Sequence, residues 1–299
     1  MKKIFSFCNQ KGGVGKTTSI VNISAALAFS GYRILVVDVD PQANATSGLG
    51  EEKPGIESTA YQLIVENESP WEIIRKTSIR NLDIVRSSAD LSGAEVELVK
   101  RDSREYALKS QLDKLKTKYD FVLIDCPPSL GLITINALVA SDFLIIPLQC
   151  EYYSLEGLGL LLNTFQLIRK ELNRSLEIGG VLLTMADFRA NLTQQVIDEV
   201  KTYFKEKVFQ TIIPRSVKLS EAPSFGKPAI LYDPSGRGSK SYKDVAEEFI
   251  ERFVRKPKYE SAAILKEELV DPSDERKIFP MDPLFQNQAA EKTEGEKAQ

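Results

Sequence analysis

The chain has 299 residues, no histidine, and 39 lysines and arginines against 42 aspartates and glutamates, which leaves a net charge of −3. Hydrophobic residues make up 42% of it and charged residues 27%. This composition excludes a disordered, collagen-like or disulfide-scaffold chain and predicts a globular protein with a core. No apolar run approaches the roughly 20 residues that a membrane span needs. Without histidine, catalysis has to use carboxylates, lysines, hydroxyls, backbone dipoles or a metal ion held by oxygen.

The cysteines and the N-terminus indicate the compartment. Cys8, Cys126 and Cys150 lie far apart and form no C-x-x-C pair, so we predict buried thiols in a reducing environment rather than metal ligands. The apolar run that follows the N-terminal lysines, Ile4–Cys8, is too short for the core of a signal peptide. We therefore expect a cytoplasmic protein.

Short apolar runs rich in valine, isoleucine, leucine and phenylalanine predict the strands. Continuous rather than alternating hydrophobicity is typical of strands that are buried on both faces of a parallel sheet. In chain order, these runs are Ile4–Cys8, Ile34–Val37, Leu82–Val85, Phe121–Ile124, Phe143–Leu148, Val181–Leu183 and Val208–Ile213.

Amphipathic stretches between these runs predict helices. The clearest extends from Leu192 to Phe204 with an apolar residue at every fourth position, and we expect Asn191 to be its N-cap, with Gln194 completing a capping box. Strand–helix alternation on this scale predicts an α/β domain with helices on both faces of the sheet. The other predicted helices are Ser19–Phe29, Glu156–Leu172 and Lys240–Val254.

The composition changes after residue 254. Prolines become frequent there, and the last ten residues are nearly all small or charged. Such a segment buries too little apolar area to offset its chain entropy. We therefore predict two parts, a folded domain at 1–254 and a flexible, mostly disordered tail at 255–299, with one short helix near Glu260–Val270.

A glycine-rich loop follows the first predicted strand and opens a helix. Glycines let backbone N–H groups converge on an anion, and the helix N-terminus adds partial positive charge. Lys16 can reach the β- and γ-phosphates of a nucleotide, and the Thr17 hydroxyl can coordinate Mg²⁺. A tight turn is the alternative, but the strand–loop–helix context favours phosphate binding, although Gln10 replaces the usual first glycine. The predicted binding residues are Lys11, Gly12, Gly13, Val14, Gly15, Lys16, Thr17 and Thr18.

Three aspartates stand at the ends of predicted strands. Asp125 ends the run that begins at Phe121, which is a Walker B arrangement, so we expect it to hold Mg²⁺ together with Thr17; capping of a helix is the alternative. Asp38 and Asp40 are two residues apart and face the same side of an extended chain. Two carboxylates near one phosphate site repel each other, so their roles should differ. The loop Pro127–Gly131 could sense the γ-phosphate.

Basic residues are concentrated in one segment. Residues 201–243 carry nine lysines and arginines against three acidic residues, whereas residues 255–299 carry eight against ten. A solvated face is the alternative for each single lysine, but the group as a whole favours contact with the phosphates of a nucleic acid.

These motifs together resemble the ParA/MinD superfamily of deviant Walker ATPases, and the ParA/Soj partition branch in particular. The resemblance covers about residues 1–254. It implies a three-layer P-loop NTPase with a mostly parallel, twisted central sheet flanked by helices on both faces. The stretches that carry it are Asn9–Thr18, Val37–Thr46, Asp125–Gly131 and Ile213–Ser224.

The resemblance implies an ATP hydrolase with ATP and Mg²⁺ as cofactors. In the family, the lysine at the position of Lys11 crosses a homodimer interface and contacts the partner's ATP, and Gly12 lies at the same interface. A solvated loop lysine is the alternative for Lys11. Asp40 orients or activates the attacking water, and Asp38 supports the metal site, with a purely structural role as its alternative. The implied catalytic residues are therefore Lys11, Lys16 and Asp40, and the metal-binding residues are Thr17, Asp125 and Asp38.

The family also implies where the adenine lies. The contacts would come from Pro214 and Ser216, although many relatives have asparagine at the position of Ser216. Met185 is a further candidate, with a place in the core as its alternative.

The implied partners follow from the family's ATP cycle. A homodimer with ATP sandwiched at its interface binds double-stranded DNA without sequence preference and drives chromosome or plasmid partition on the nucleoid. A ParB-like protein stimulates hydrolysis. Only eight residues precede Asn9, so we expect no operator-binding domain. The predicted DNA contacts are Arg189, Arg215, Lys218, Lys227 and Lys240, and Arg215 could instead serve the nucleotide.

Other functions stay open. A MinD-like ATPase positions proteins at a membrane through a basic amphipathic helix, but the acidic, proline-broken tail disfavours this, and we expect no membrane partner. A ParA-like ATPase that positions a non-DNA cargo cannot be separated from a partition ATPase by sequence. An iron–sulfur carrier would need paired cysteines.

Overall fold

A seven-stranded sheet organises the computed structural model, which describes residues 3–52, 58–115, 118–154 and 156–255. The sheet order is β3-β4-β2-β5-β1-β6-β7, and every neighbouring pair is parallel except β3–β4. The strands are β1 (Lys3–Phe7), β2 (Ile34–Asp38), β3 (Arg75–Lys76), β4 (Leu82–Val85), β5 (Phe121–Asp125), β6 (Phe143–Gln149) and β7 (Glu177–Thr184).

The helices cover both faces of this sheet. They are α1 (Lys16–Phe29), α2 (Asn44–Gly48), α3 (Pro70–Ile73), α4 (Leu91–Leu98), α5 (Ala107–Leu112), α6 (Leu132–Ala140), α7 (Glu156–Glu171), α8 (Asn191–Phe204), α9 (Val217–Glu221), α10 (Ala229–Tyr232) and α11 (Arg237–Ile250). Short 3₁₀ segments occupy Arg104–Tyr106, Asp113–Leu115, Tyr152–Ser154, Lys205–Lys207 and Ala222–Phe225, and π-helical turns occupy Gln62–Glu66 and Glu251–Arg255.

The direction of the crossovers explains the two layers of helices. The connection from β1 through α1 to β2 and the connection from β5 through α6 to β6 run in opposite directions along the sheet. Right-handed crossovers therefore put α1 and α6 on opposite faces. Helix α1 packs with α2, α10 and α11, whereas α6 packs with α4, α5 and α7. The predicted three-layer α/β architecture with a mostly parallel sheet is confirmed.

An aromatic cluster packs the central strand β1 against the C-terminal part of the described chain. Phe5 is fully buried, and its ring centroid lies 4.5 Å from that of Phe249 and 4.7 Å from that of Phe253. Phe121 and Phe143, on the two neighbouring strands, complete the cluster. These contacts hold β1 between β5 and β6, so the loop that follows β1 leaves from the middle of the sheet.

Six of the seven predicted strands are present, and the seventh is wrong. Instead, within residues 208–213, Val208 forms an isolated bridge to Val181 of β7. Pro214, the residue that follows this segment, forms another with Ala186, just beyond β7. Phe209 is buried there and its N–H donates to the carbonyl of Val181, so the segment is apolar because it packs, although it forms no ladder. The short strand β3 consists of an arginine and a lysine, which no search for apolar runs can find.

The predicted helices are present with shifted ends, and the predicted cap is wrong. Asn191 is the first residue of α8, after Ala190, and the side chain of Gln194 donates to Asp198 rather than turning back to form a capping box. The three cysteines are buried free thiols, as predicted.

The described residues all fall within one compact unit, Met1–Lys258. The boundary at residue 254 stays a prediction. The tail beyond Arg255, with its predicted helix at Glu260–Val270, lies outside the described residues.

Candidate functional site

The glycine-rich loop wraps around its own lysine. Gly13 and Gly15 have φ angles of +73° and +86°, in the left-handed region that favours glycine, and Gly15 leads directly into α1. Lys16 is buried, and its ammonium donates to the carbonyls of Asn9 (3.0 Å) and Lys11 (3.3 Å). The loop therefore encloses a positive charge beside the N-terminus of a helix, which is the electrostatic requirement for binding a phosphate.

The end of β7 supports the loop from one side. The Thr184 hydroxyl donates to the carbonyl of Val14 at 2.8 Å. A Cβ atom on Gly15 would lie 3.7 Å from Cγ2 of Thr184 and 3.8 Å from Cε of Met185, which shows how closely these residues approach the loop. Sequence reasoning missed Thr184, because a single threonine at a strand end carries no signal.

The second lysine of the loop has a different environment. The Lys11 ammonium donates to the Ser154 hydroxyl at 3.2 Å and lies 3.7 Å from a carboxylate oxygen of Glu151. The other carboxylate oxygen of Glu151 accepts from the Arg215 guanidinium at 3.0 Å. Glu151 thus joins two cations that the sequence singled out. Glu151 and Ser154 were missed, although their position just after β6 places them at the same edge of the sheet.

Asp38 is buried and held by three donors. One carboxylate oxygen accepts from the Thr46 backbone N–H (2.8 Å) and the Thr46 hydroxyl (2.7 Å), and the other accepts from the Asp40 N–H (3.2 Å). Burial raises the pKa of Asp38 to about 6, and these hydrogen bonds act in the opposite direction. Both carboxylate oxygens of Asp38 therefore already accept hydrogen bonds from the protein.

Asp125 lies beside Asp38 in the sheet register, but its carboxylate lacks the hydrogen bonds that Asp38 has. It is fully buried, and neither of its carboxylate oxygens has a hydrogen-bond partner among the described residues. Burial, followed by the charge of Asp38, raises the pKa of Asp125 well above its ordinary value, although the nearby Thr17 hydroxyl and the charge of Lys16 act in the opposite direction. An orphaned carboxylate at the carboxyl end of a central strand fits a divalent cation, which would supply the missing positive charge.

The protein supplies this cation with few ligands of its own. Within the described residues, no group of three or more cysteines or carboxylates is arranged to hold a metal ion. The predicted ligands Thr17 and Asp125 lie at the start of α1 and at the end of β5, and the Thr17 hydroxyl lowers the pKa of Asp125, so the two side chains are neighbours. This arrangement fits a Mg²⁺ ion that arrives with a nucleotide, because Mg²⁺ typically keeps several waters and takes oxygens from the phosphates.

Asp40 lies at the turn after β2 and is 7% exposed. Its carboxylate accepts from the Gln42 N–H at 2.9 Å, and its carbonyl accepts from the Ala43 N–H at 2.9 Å. Asp40 is thus held in a closed turn at the carboxyl edge of the sheet.

The predicted adenine contacts lie beyond the end of β7. Pro214 is bridged to Ala186, next to Met185, and Ser216 immediately precedes α9. Neither of them lines the cleft of about 370 Å³ that opens beside the start of α1. Polar residues of this cleft are Thr17, Thr18, Asn22, Asn44, Ser47, Ser224 and Lys227.

All five residues predicted to contact DNA are exposed, but they do not form one uniform positive surface. Arg189 forms an ion pair with Asp187 at 2.7 Å and, chiefly through its hydrogen bond, lowers the pKa of that carboxyl to about 2. Arg215 pairs with Glu151, and Lys218 pairs with Glu221 at 2.8 Å. Lys227 lines the cleft, and Lys240 lies on α11.

The orphaned carboxylate generates a stability prediction. Replacing Asp125 with Asn should raise the free energy of unfolding of the nucleotide-free protein at pH 7 by about 1 kcal/mol or more, because it removes a buried, repelled charge. A raised carboxyl pKa costs stability as pH rises above the ordinary value of about 4, so the gain should disappear near pH 3. Urea unfolding in EDTA at both pH values measures it.

Asp83→Asn is the matched control for this measurement. Asp83 lies on β4 and accepts from the Tyr119 hydroxyl, with Lys118 at 3.6 Å, so its carboxylate is satisfied and its replacement should give no gain. A loss of stability in Asp125→Asn at pH 7 would contradict the orphaned state of Asp125.

Comparison with known proteins agrees with this geometry. A family model described as an AAA domain matches residues 2–178. The sporulation initiation inhibitor protein Soj of Bacillus subtilis (strain 168) is 58% identical over 248 residues, which cover 83% of this chain and 98% of that protein. The chromosome partitioning protein ParA of Myxococcus xanthus (strain DK1622) is 50% identical over 250 residues, covering 84% and 88%.

A solved structure has the same fold with a nucleotide bound. Cobyrinic acid a,c-diamide synthase from Mycobacterium smegmatis with bound ADP and magnesium is 33% identical, with a TM-score of 0.74, over 84% of this chain and 95% of that chain. The resemblance inferred from the phosphate loop and the strand-end aspartates is confirmed. The chain belongs to the ParA/Soj family of deviant Walker P-loop ATPases.

Proposed function

We propose that this chain is a chromosome or plasmid partition ATPase that binds ATP and Mg²⁺, hydrolyses ATP to ADP and phosphate, and does so as a homodimer with the nucleotides at its interface. The observation that carries the proposal is the difference between the two lysines of the phosphate loop. Lys16 is buried under the loop, whereas the Lys11 side chain is 33% exposed and held by two weak outward contacts. A lysine so placed can leave these contacts for the ATP of a second subunit.

The residues of the site divide the work of phosphoryl transfer. Lys16 and the loop N–H groups bind the phosphates, while Thr17 and Asp125 hold Mg²⁺, which when bound neutralises charge on the phosphate oxygens. Asp40 orients the attacking water, and Lys11 stabilises the charge that develops on the partner's nucleotide. The three donors on Asp38 support a structural role for it next to the metal.

The ATP-bound dimer binds duplex DNA nonspecifically on the nucleoid, and a ParB-like protein stimulates hydrolysis. The exposed cations named above support DNA binding, and the names of the two relatives support partition. Because Arg189, Arg215 and Lys218 are paired with carboxylates, DNA phosphates would replace acidic neighbours rather than water. In the described part of the chain, no helix is long and apolar enough to cross a membrane.

Binding to an arbitrary duplex DNA tests the proposal. The wild type should bind with ATP but not with ADP or without nucleotide, and the affinity should fall steeply with salt, because phosphate contacts release counterions. Lys16→Ala should lose both ATP and DNA binding. Fluorescence anisotropy across a salt series measures both variants.

The same assay contains the competing outcomes. Tight ATP binding by Lys16→Ala would remove Lys16 from the site. DNA binding absent in every nucleotide state, with ATP-dependent binding to anionic liposomes, would favour a MinD-like function. ATP-dependent DNA binding without stimulation by a ParB-like protein would favour another cargo.

Replacing Asp40 with Ala tests the catalytic assignment. ATP should still bind, because the hydrogen bonds described for Asp40 join it to Asp38, Gln42 and Ala43 and not to the phosphate loop, but hydrolysis should fall by about 100-fold or more as the water loses its positioning group. The variant should then accumulate as an ATP-bound dimer, detected by single-turnover hydrolysis and light scattering. Hydrolysis at the wild-type rate would exclude Asp40 from catalysis.

Replacing Gly12 with Val tests the dimer. A Cβ atom at Gly12 would meet no described atom within 4 Å, and its φ is not in the left-handed region, so the monomer should fold and bind ATP normally. A partner subunit brought against the loop would meet the added side chain, and the ATP-dependent dimer should be lost. Gly12→Ala should give a smaller loss. A Gly12→Val variant that dimerises like the wild type would contradict this interface.

A further inference from the structure

One buried threonine connects three parts of the site. Thr46 lies on α2 and is fully buried. Its hydroxyl accepts from the Ser87 N–H, just beyond β4, at 3.1 Å, and donates to Asp38 at the end of β2 at 2.7 Å. Its backbone N–H donates to the same oxygen of Asp38 at 2.8 Å.

These hydrogen bonds connect three segments of the chain, and each of them has a fixed donor and acceptor. Because the Ser87 N–H can only donate and a carboxylate oxygen can only accept, the hydroxyl between them has one arrangement that satisfies both. The second oxygen of Asp38 then accepts from the Asp40 N–H at 3.2 Å. These hydrogen bonds therefore connect the end of β4, through Thr46 and Asp38, to the backbone of Asp40.

The turn that carries Asp40 depends on the same helix. The Ala43 N–H donates to the Asp40 carbonyl at 2.9 Å, and Ala43 has a φ of +54°, an uncommon conformation for a residue with a side chain, directly before α2 begins. Asp40 is thus held from two directions, by Asp38 through its N–H and by Ala43, the residue before α2, through its carbonyl. The Ser47 N–H of α2 donates to the Ala43 carbonyl, so movement of the helix that carries Thr46 would disturb both contacts.

We propose that Thr46 is a positioning residue for hydrolysis, which fixes Asp38 and, through it, the Asp40 backbone, so that the Asp40 carboxylate is aimed at the attacking water. The inference rests on the proposed role of Asp40. Repulsion from Asp125, which lies opposite Asp38 in the register, makes these donors necessary, because an unrestrained Asp38 would turn away from its neighbour.

Three variants test the inference. Thr46→Val keeps the shape of the side chain and removes the hydroxyl, and it should lower the single-turnover hydrolysis rate by about tenfold or more, because small misplacements of catalytic groups are costly. The affinity for ATP should stay within about threefold of the wild type, since Thr46 does not belong to the phosphate loop. Thr46→Ser keeps the hydroxyl and should restore the rate to within about threefold.

Thr59→Val is the matched control. The Thr59 hydroxyl is also buried, accepts from a backbone N–H (Tyr61, 3.2 Å) and donates to a side-chain oxygen (Gln62, 2.7 Å), but none of these residues belongs to the site. Its replacement should leave the rate unchanged while costing comparable stability. If Thr46→Val fails to fold, Thr46→Ala removes the same hydroxyl with less bulk near Ser87 and takes its place.

The Asp40→Ala background separates the two failures. There, Thr46→Val should lower the residual rate by less than about twofold, because the group it positions is gone. Full hydrolysis by Asp40→Ala would overturn the catalytic assignment. Slow hydrolysis by Asp40→Ala together with a near-normal rate in Thr46→Val would overturn the role of Thr46 alone. Equal losses of rate in Thr46→Val and Thr59→Val would reduce that role to stability.

Discussion

The burial of two like charges side by side governs this site. Strands β2 and β5 are in register, so Asp38 and Asp125 face each other at the carboxyl edge of the sheet, and each is fully buried. A buried carboxylate is costly unless donors or a cation compensate it. The chain compensates Asp38 with three donors and leaves Asp125 without one among the described residues. The nearby cation, Lys16, donates its hydrogen bonds to carbonyls of the loop. The nucleotide-free site is therefore ready for ligands, because Mg²⁺ would compensate the charge of Asp125 and phosphates would accept hydrogen bonds from the Lys16 ammonium. Binding of these ligands would stabilise the folded state.

The second lysine of the loop, Lys11, is held only by weak, exposed contacts. Lys11 lies near Glu151, which also pairs with Arg215, and all three side chains are at least one-third exposed. Ion pairs of this kind contribute between zero and about 1 kcal/mol. The chain can thus release Lys11 at little cost, whereas the buried Lys16 cannot leave the loop without exposing the carbonyls that it satisfies. Two lysines five residues apart in sequence therefore suit two different tasks, one fixed in its own subunit and one available to another.

The sequence predicted what depends on local pattern. The strands, the phosphate loop and the strand-end aspartates follow from apolar runs and from residue types next to them. Contacts between distant segments could not be predicted, because no periodicity connects the residues that make them. These contacts are the hydrogen bonds of Thr184 with Val14, of Ser154 with Lys11 and of Thr46 with Asp38, and the ion pair of Glu151 with Lys11. The wrong strand at 208–213 has the same origin, since burial beside β7 produces the same apolar composition as a ladder. The acidic partners of the predicted DNA contacts were also missed, because a count of basic residues does not show which carboxylate faces each one.

Helix α2 contacts two parts of the site that are far apart in the sequence. Its Thr46 donates to Asp38, and the helix packs against the 3₁₀ segment Ala222–Phe225, which lies in the sequence between Lys218 and Lys227. A Cβ atom on Gly50 would lie 2.7 Å from the carbonyl oxygen of Gly226, so the two backbones touch where no side chain intervenes, and both glycines have positive φ angles. A tight backbone contact transmits displacement better than long, flexible side chains do, because it has no rotamer to absorb it. The short helix α2 thus contacts Asp38, next to the orphaned Asp125, and also the segment that lies between two of the predicted DNA contacts.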